Sequence, residues 1–193
     1  MQLLPVRKPN RLKGYDYASC GLYFITICTK DRECLLWDNV GAICDRPLVP
    51  VPLSTAGKAV EAELAVLSTI YEHVRLELCC IMPNHVHLLL QIHPAGDGRS
   101  QIAPTVSVSR VVKLFKGAVS KRLGQSIWQK SFYDHIVRDE KEYIKIAEYI
   151  ENNPANWVLD QLYRDADSRR GLRFRAIKTA HVISHHMRCF CFI

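Results

Sequence analysis

The sequence predicts an α+β fold: an antiparallel β-sheet with helices on one face, in the ferredoxin-like (RRM-like) order β-α-β-β-α-β, followed by one more helix. Two observations predict it. Short β-branched or aromatic runs alternate with amphipathic stretches of helical period, and a Pro-Asn turn joins two of the runs into a hairpin. The 193 residues, 48% of them hydrophobic, suffice for one packed domain with appendages.

The first half of the chain supplies the first strand and the first helix. Residues Leu22–Cys28 are β-branched and aromatic and too few for a typical helix, so they predict a buried strand. A proline-containing loop over 38–53 follows, and Ser54 or Thr55 caps a helix that runs to about Glu72. Its apolar face consists of residues at helical spacing: Val60, Leu64, Leu67, Tyr71 and Val74.

The second half supplies a hairpin, a helix, a strand and a last helix. Two strands, Val74–Ile81 and His85–Ile92, flank the turn Met82-Pro83-Asn84, and a Gly- and Pro-containing loop covers 93–106. Later boundaries are set by a glycine stop and by a capping box that pairs Asp139 with Glu142. The elements so bounded are a helix from about Ser107 to Leu123, a strand over Ile127–Val137, and a helix that ends by Pro154.

Three segments follow from composition: a basic N-terminal arm over 1–20, a folded domain over 21–163, and a basic C-terminal tail over 164–193. Lys and Arg outnumber Asp and Glu by 26 to 19, which gives a net charge of +7 and favours a polyanionic partner. The arm carries Arg7, Lys8, Arg11 and Lys13, which either contact a polyanionic partner or form a solvated arm. The tail combines arginines with a His-His and a Cys-x-Cys pattern that fits no zinc module, and it has no assigned role.

The eight cysteines form no Cys-x-x-Cys pair, and several lie in apolar runs, so we expect buried reduced thiols rather than disulfides. No signal-peptide region or membrane-span-length apolar run is present. We therefore expect a cytoplasmic protein with no membrane contact.

A histidine pair carries the strongest local signal. His85 and His87 are two residues apart on a predicted strand, so their imidazoles point to the same face, and paired imidazoles commonly bind a divalent metal. An isolated His-x-His pair is, however, more often solvated or hydrogen-bonded.

Tyr149 is the second signal. On the last predicted helix, Tyr143, Ile146, Ala147 and Ile150 define an apolar stripe. Tyr149 lies about 110° from the middle of that stripe and shares its face with Asn153 and Lys145. That position predicts a tyrosine facing a cleft, whereas Tyr143 is predicted to pack.

These residues lie within five segments that together identify a family resemblance. The sequence resembles the HUH-class single-strand DNA transposases with one tyrosine and, within them, the REP-associated tyrosine transposases. The resemblance covers roughly residues 11–163. It rests on segments in the family's order: YFITICTKDREC (23–34), MPNHVHLLL (82–90), LFKGAV (114–119), IWQKSFYDHIVRD (127–139) and YIENNPANWVLD (149–160).

The resemblance implies a role for each matched position. His85 and His87 match the metal-binding histidines, Tyr149 matches the nucleophile on a C-terminal catalytic helix, and Asn153 matches the position whose amide completes the metal site. Insertion-sequence relatives usually have Gln there, which is longer by one methylene. The family implies Mg or Mn, although two imidazoles and an amide suit Mn, Ni or Zn better. It implies cleavage and rejoining of single strands near hairpins or palindromes, through a 5′-phosphotyrosine and without a nucleotide cofactor.

For contact with single-stranded or hairpin DNA, we expect the basic surface of the second helix to neutralise phosphates: Lys113, Lys116, Lys121 and Arg122. Whether the protein is a homodimer, with Tyr149 acting on a partner's histidines, stays open, as does whether it is an active transposase or a domesticated relative. His135 is expected to be structural and Trp128 to anchor the core.

Two alternatives remain at this stage. A non-catalytic nucleic-acid-binding protein on the same fold predicts that His85, His87 and Tyr149 do not converge. A metal-binding regulatory protein predicts that the histidines recruit a cysteine such as Cys79, a soft ligand that favours zinc.

Overall fold

A computed structural model describes residues 15–16, 19–38, 52–93 and 106–164. The charged residues predicted in the N-terminal arm and nearly all of the C-terminal tail lie outside these residues, as do the central parts of the two predicted loops. Among the described residues, no helix has the length and apolar content needed to cross a membrane.

The sheet has four antiparallel strands in the order β2-β3-β1-β4, which confirms the predicted α+β, ferredoxin-like fold. Its strands are β1 (Gly21–Cys28), β2 (Val74–Ile81), β3 (His85–Ile92) and β4 (Tyr133–Val137). The helices are α1 (Thr55–Ala65), α2 (Val108–Leu123) and α3 (Glu140–Asn152). Short helical segments lie at Lys30–Arg32, Leu67–Ile70 and Trp157–Leu159.

One face of the sheet packs into the apolar core, and the other carries the histidine pair. Strand pairing places Tyr23, Ile25 and Ile27 of β1 on the same face as Val86 and Leu88 of β3, and all five are at most 1% exposed. The buried residues of α1 and α2 join this face in one apolar core. The opposite face carries the two histidines of β3 and is covered by α3, so the last helix lies across the sheet from the first two.

Helix α1 is shorter than predicted. Ser54 caps it by accepting a hydrogen bond from the Gly57 amide, as expected, but the helix ends at Ala65, and a separate turn follows at Leu67–Ile70. The Ser68 hydroxyl accepts a hydrogen bond from Leu76 of β2, and the Thr69 hydroxyl donates to the Val66 carbonyl. Such side-chain bonds compete with the helical ladder, which is why the predicted end near Glu72 is wrong.

Strand β4 is also shorter than predicted, because residues 127–132 make other contacts. The Ile127 carbonyl accepts from the Lys30 amide, and Trp128 forms only an isolated bridge with Thr29. The carbonyls of Gln129 and Ser131 accept hydrogen bonds from the Lys116 ammonium. Trp128 itself is 7% exposed and contacts Phe115, as expected of a core residue.

Helix α3 starts as predicted, with the Asp139 carboxylate accepting from the Glu142 amide at 2.8 Å. In a standard capping box the Glu142 carboxylate would accept from the amide of the N-cap residue, Asp139. Here it accepts from the Arg138 amide, one residue earlier in the chain. The predicted apolar stripe is only partly buried: Ile150 is 2% exposed, whereas Tyr143 is 36% exposed. Burial is concentrated near the C-terminal end of the helix, so the prediction that Tyr143 packs is wrong.

Candidate active site

The histidine pair, His85 and His87, lies side by side on β3, as strand alternation predicts. Both side chains are at most 1% exposed, and their Nε2 atoms are 2.9 Å apart. Two ring nitrogens therefore converge on one point above the sheet.

The other nitrogen of each ring is fixed by a neighbouring side chain. The Asn84 amide nitrogen donates to the carbonyls of Leu162 and Arg32, so its oxygen faces His85 and accepts from Nδ1 at 2.8 Å. His85 Nδ1 thus carries the proton, and Nε2 presents a lone pair. His87 Nδ1 lies 2.9 Å from the hydroxyl of Thr26 on β1, which either donates or accepts.

Burial keeps the histidine pair neutral. Loss of solvent lowers the pKa of each imidazole to about 3, helped at His85 by the charge of Arg32 and at His87 by His85. The Asp160 carboxylate opposes this effect at His87. Both rings are therefore uncharged at neutral pH, which is the form that binds a metal ion.

Tyr149 reaches the histidine pair from α3. Its hydroxyl lies 3.3 Å from His87 Nε2 and donates to Asp160 Oδ2 at 3.0 Å, and its ring meets Phe24 edge to face. Partial burial first, and the negative charge of Asp160 next, raise the pKa of Tyr149 to about 12, while the Asn153 amide acts in the opposite sense. The residue is still 45% exposed, so it borders solvent on one side.

Asn153 lies one helical turn after Tyr149 and is 3% exposed. Neither its amide oxygen nor its amide nitrogen has a partner at normal hydrogen-bond geometry, and only a weaker contact of the amide with the Tyr149 hydroxyl lowers the pKa of that phenol. A buried amide satisfied so weakly is costly, and such a group suits a ligand role. Asn153 and Tyr149 line one cleft together with Lys145, as the helical spacing predicted.

Asp160 is the site residue that the sequence reasoning missed. One oxygen of its carboxylate lies within a 4.8 Å cluster with a ring nitrogen from each of the paired histidines. Asp160 falls inside the YIENNPANWVLD segment, eleven positions after Tyr149, but Pro154 lies between them and ends the predicted helix, so helical spacing does not relate the two. In the sequence, the one feature that marks Asp160 as a candidate site residue is its acidic side chain at the end of the family-like segment 149–160.

The four cations expected to contact DNA lie on α2, whose apolar side packs on the face of the sheet opposite Tyr149. Lys113 and Lys121 are exposed. Arg122 makes two hydrogen bonds to Glu63, and the half-buried Lys116 is bound to two backbone carbonyls. The structure thus divides the set into two exposed lysines and two cations that already have protein partners.

Both alternatives lose their support. The imidazoles and the Tyr149 hydroxyl do converge, contrary to the expectation for a non-catalytic binding protein. Cys79 pairs in register with Leu88, whose side chain points to the opposite face from the histidines, and among the described residues the group of side chains close enough to share an ion contains no cysteine. His135 forms a 2.6 Å contact with Glu142 that links β4 to α3, as expected of a structural residue.

The described cysteines form no disulfide, in agreement with the prediction of reduced thiols. Of these five, only Cys80 is buried, whereas Cys20 is exposed and Cys28, Cys34 and Cys79 are partly exposed. The prediction that the cysteines are generally buried is therefore wrong.

Comparison with known proteins agrees with this geometry. The family described as "Transposase IS200 like" matches residues 58–153, a range that includes the histidine pair, Tyr149 and Asn153. A protein of Haemophilus influenzae described as uncharacterized is 34% identical over 176 residues, covering 82% of this chain and 94% of the relative. A second H. influenzae protein, named "Putative REP-associated tyrosine transposase", is 27% identical over 169 residues, covering 78% and 84% of the two chains.

A solved structure of a REP-associated tyrosine transposase bound to a REP hairpin shares the fold. Its TM-score is 0.54 at 18% identity, over 86% of this chain and 99% of the other. The chain belongs to the IS200-like family of single-stranded DNA transposases, which are enzymes of DNA strand cleavage and transfer. The resemblance to REP-associated tyrosine transposases that the sequence motifs predicted is confirmed.

Proposed function

We propose that this enzyme cleaves and rejoins single-stranded DNA near hairpins or palindromes through a 5′-phosphotyrosine on Tyr149, assisted by a divalent metal. The observation that carries the proposal is the approach of the Tyr149 hydroxyl to within 3.3 Å of His87 Nε2, beside a second imidazole nitrogen. The similar solved structure is described as bound to a REP hairpin, and we extend hairpin binding to this chain.

The residues present fit a divalent metal. Two ligand nitrogens at about 2.1 Å from an ion and at right angles to each other are about 3 Å apart, and the two Nε2 atoms are separated by 2.9 Å. If the Thr26 hydroxyl accepts from His87 Nδ1, both Nε2 lone pairs face each other, and a cation between them relieves the repulsion. His85, His87 and the buried amide of Asn153 would hold Mg or Mn.

A metal held by His85 and His87 would supply Lewis-acid chemistry, polarising the scissile phosphate and stabilising the charge that develops on it. The Tyr149 oxygen forms a bond to phosphorus while the bond from phosphorus to the 3′ oxygen breaks. The phenol proton leaves the tyrosine, and the departing 3′ oxygen gains a proton. Attack by another 3′ hydroxyl reverses these changes and rejoins a strand, so no nucleotide cofactor is required.

The raised pKa of Tyr149 implies that its phenolate forms during attack rather than in the resting enzyme. The Asp160 carboxylate holds the hydroxyl proton, which keeps a phenol oxygen lone pair available toward the cleft. Because Tyr149 meets the histidines of its own chain, we propose that the nucleophile acts in cis. A homodimer stays a prediction.

We propose that Lys113 and Lys121 supply the main phosphate contacts on α2, and that Lys116 and Arg122 contribute less because they are engaged within the protein. These residues lie across the sheet from Tyr149. They would therefore meet a part of the DNA away from the scissile phosphate, such as a hairpin stem.

The test is incubation of the protein with a hairpin-flanked oligonucleotide and Mn²⁺, followed by a denaturing gel. Wild type should form a covalent protein–DNA adduct, and Tyr149→Phe should form none. Tyr143→Phe is the matched control, since it removes the same atom from an exposed tyrosine of the same helix and should keep the adduct. An adduct that persists in Tyr149→Phe would refute the assignment of the nucleophile.

A further inference from the structure

The carboxylate of Asp160 is held in a fixed position beside the histidine pair. Its Oδ2 accepts from the Tyr149 hydroxyl at 3.0 Å, and its Oδ1 accepts from the Leu162 amide. Since each carboxylate oxygen has two lone pairs, Oδ2 keeps one that is not used by the phenol.

The chain that carries Asp160 is tied to the turn between β2 and β3. Asp160 follows the short helix Trp157–Leu159, where Trp157 is 3% exposed and packs near the His85 ring. The Leu162 carbonyl accepts from the Asn84 amide at 2.8 Å, and Asn84 also orients His85. One asparagine therefore links the segment that carries the carboxylate to the first imidazole of the pair.

We infer that Asp160 is a further protein ligand of the metal ion, in addition to His85, His87 and Asn153. The inference rests on the proposed function, which places a metal at the histidine pair. Among the described residues, these three form the one group of histidine, cysteine or acidic side chains close enough to share an ion. The paired imidazoles and the Asn153 amide supply no negative charge, whereas Asp160 supplies one.

A carboxylate also matches the metal better than the two imidazoles and an amide do. Mg²⁺ and Mn²⁺ favour oxygen ligands, and an ionised carboxylate also brings a negative charge that a neutral amide lacks. Because the Asp160 carboxylate also accepts from the Tyr149 hydroxyl, an ion held by Asp160 would lie near the nucleophile. The ligand therefore positions the attacking group as well as the metal.

Binding of Mn²⁺ by isothermal titration calorimetry tests the inference without reference to activity. Asp160→Asn keeps an oxygen for the Leu162 amide but loses the charge, and its affinity for Mn²⁺ should fall at least about tenfold. Glu148→Gln is the matched control, because Glu148 lines the same cleft and loses the same charge, and its affinity should stay near that of wild type. His85→Ala should lose binding.

A second measurement uses the wild-type protein, so it does not depend on the folding of a variant. Titration with Mg²⁺ should shift the carboxyl ¹³C resonance of Asp160 much more than that of Glu148. The inference is overturned if Asp160→Asn binds Mn²⁺ as wild type does, if Glu148→Gln loses as much affinity, or if the Asp160 resonance does not move.

These failures are distinguishable from failure of the proposed function. Should wild type form the Tyr149 adduct while Asp160→Asn keeps full Mn²⁺ affinity, the reaction stands and the ligand assignment falls. Should Asp160 prove to be a ligand while wild type forms no adduct, the metal site stands and the strand-cleaving role of Tyr149 falls.

Discussion

Replacing Asn84 by alanine should weaken both the fold and the metal site, by amounts that follow from three hydrogen bonds. The buried amide donates to two backbone carbonyls and accepts from His85, with distances of 2.8, 3.3 and 2.8 Å. At about 1 kcal/mol net for each bond, Asn84→Ala should lower the free energy of unfolding by about 3 kcal/mol. With a typical urea dependence of about 2 kcal/mol per M, the unfolding midpoint falls by roughly 1.5 M.

The same substitution removes the acceptor that fixes the proton on His85 Nδ1. Loss of an outer-shell partner of a metal-binding histidine typically costs about 10- to 100-fold in affinity, so Mn²⁺ binding should weaken by that factor. Thr26→Val, which removes the single hydrogen bond to His87 Nδ1, should reduce stability by about 1 kcal/mol and also weaken Mn²⁺ binding.

Ser54→Ala is the control for a general loss of stability. It removes the N-cap of α1, on the other side of the sheet, together with the bond that the Ser54 hydroxyl donates to the Leu35 carbonyl, and should cost about 2 kcal/mol without changing Mn²⁺ affinity. The measurements are urea denaturation of the metal-free proteins and calorimetric titration below the unfolding transition. Wild-type Mn²⁺ affinity in Asn84→Ala would refute the argument that this hydrogen bond orients the imidazole.

Three further predictions concern pH, packing and DNA contact. Folding lowers the pKa of each paired histidine to about 3, so the unfolded state binds more protons between pH 3 and 6.5. The free energy of unfolding should therefore fall as the pH drops through this window, by about 2 kcal/mol per imidazole at pH 5. Urea titrations that give the same stability at pH 7.5 and 5, or the same difference after both histidines are changed to glutamine, would contradict this. A Cβ on Gly57 would lie 2.1 Å from the Leu36 carbonyl, whereas one on Gly117 meets nothing within 4 Å. Gly57→Ala should therefore destabilise by about 1–3 kcal/mol and Gly117→Ala stabilise by about 0.5–1 kcal/mol, and the reverse order in thermal unfolding would count against the packing described. Lys113→Ala and Lys121→Ala should each weaken hairpin DNA binding and reduce the salt dependence of log K by about one unit, a change that fluorescence anisotropy at several salt concentrations would detect and whose absence would exclude phosphate contact.

Local sequence patterns predicted most of the secondary structure. Caps at Ser54 and Asp139, the stop at Gly124, and the Pro83-Asn84 turn all depend on neighbouring residues, and each occurs where expected. Boundaries failed where distant groups intervened. The Lys116 ammonium holds carbonyls that the predicted fourth strand would have used, and the bond from Ser68 to β2 helps to end the first helix early.

In the candidate site, too, some features follow from local sequence spacing and others only from tertiary contacts. Strand alternation alone placed His85 and His87 on one face, and helical spacing alone placed Tyr149 beside Asn153, because both depend on backbone periods that the sequence sets locally. Only the tertiary structure brought the Tyr149 hydroxyl to His87, put Thr26 and Asn84 behind the two rings, and added Asp160. The contacts of Tyr149 and Thr26 with His87 join residues far apart in the chain, and Asn84 is held against its neighbour His85 by the distant carbonyls of Arg32 and Leu162. They exist only after strands pair and helices dock, and no local period encodes them.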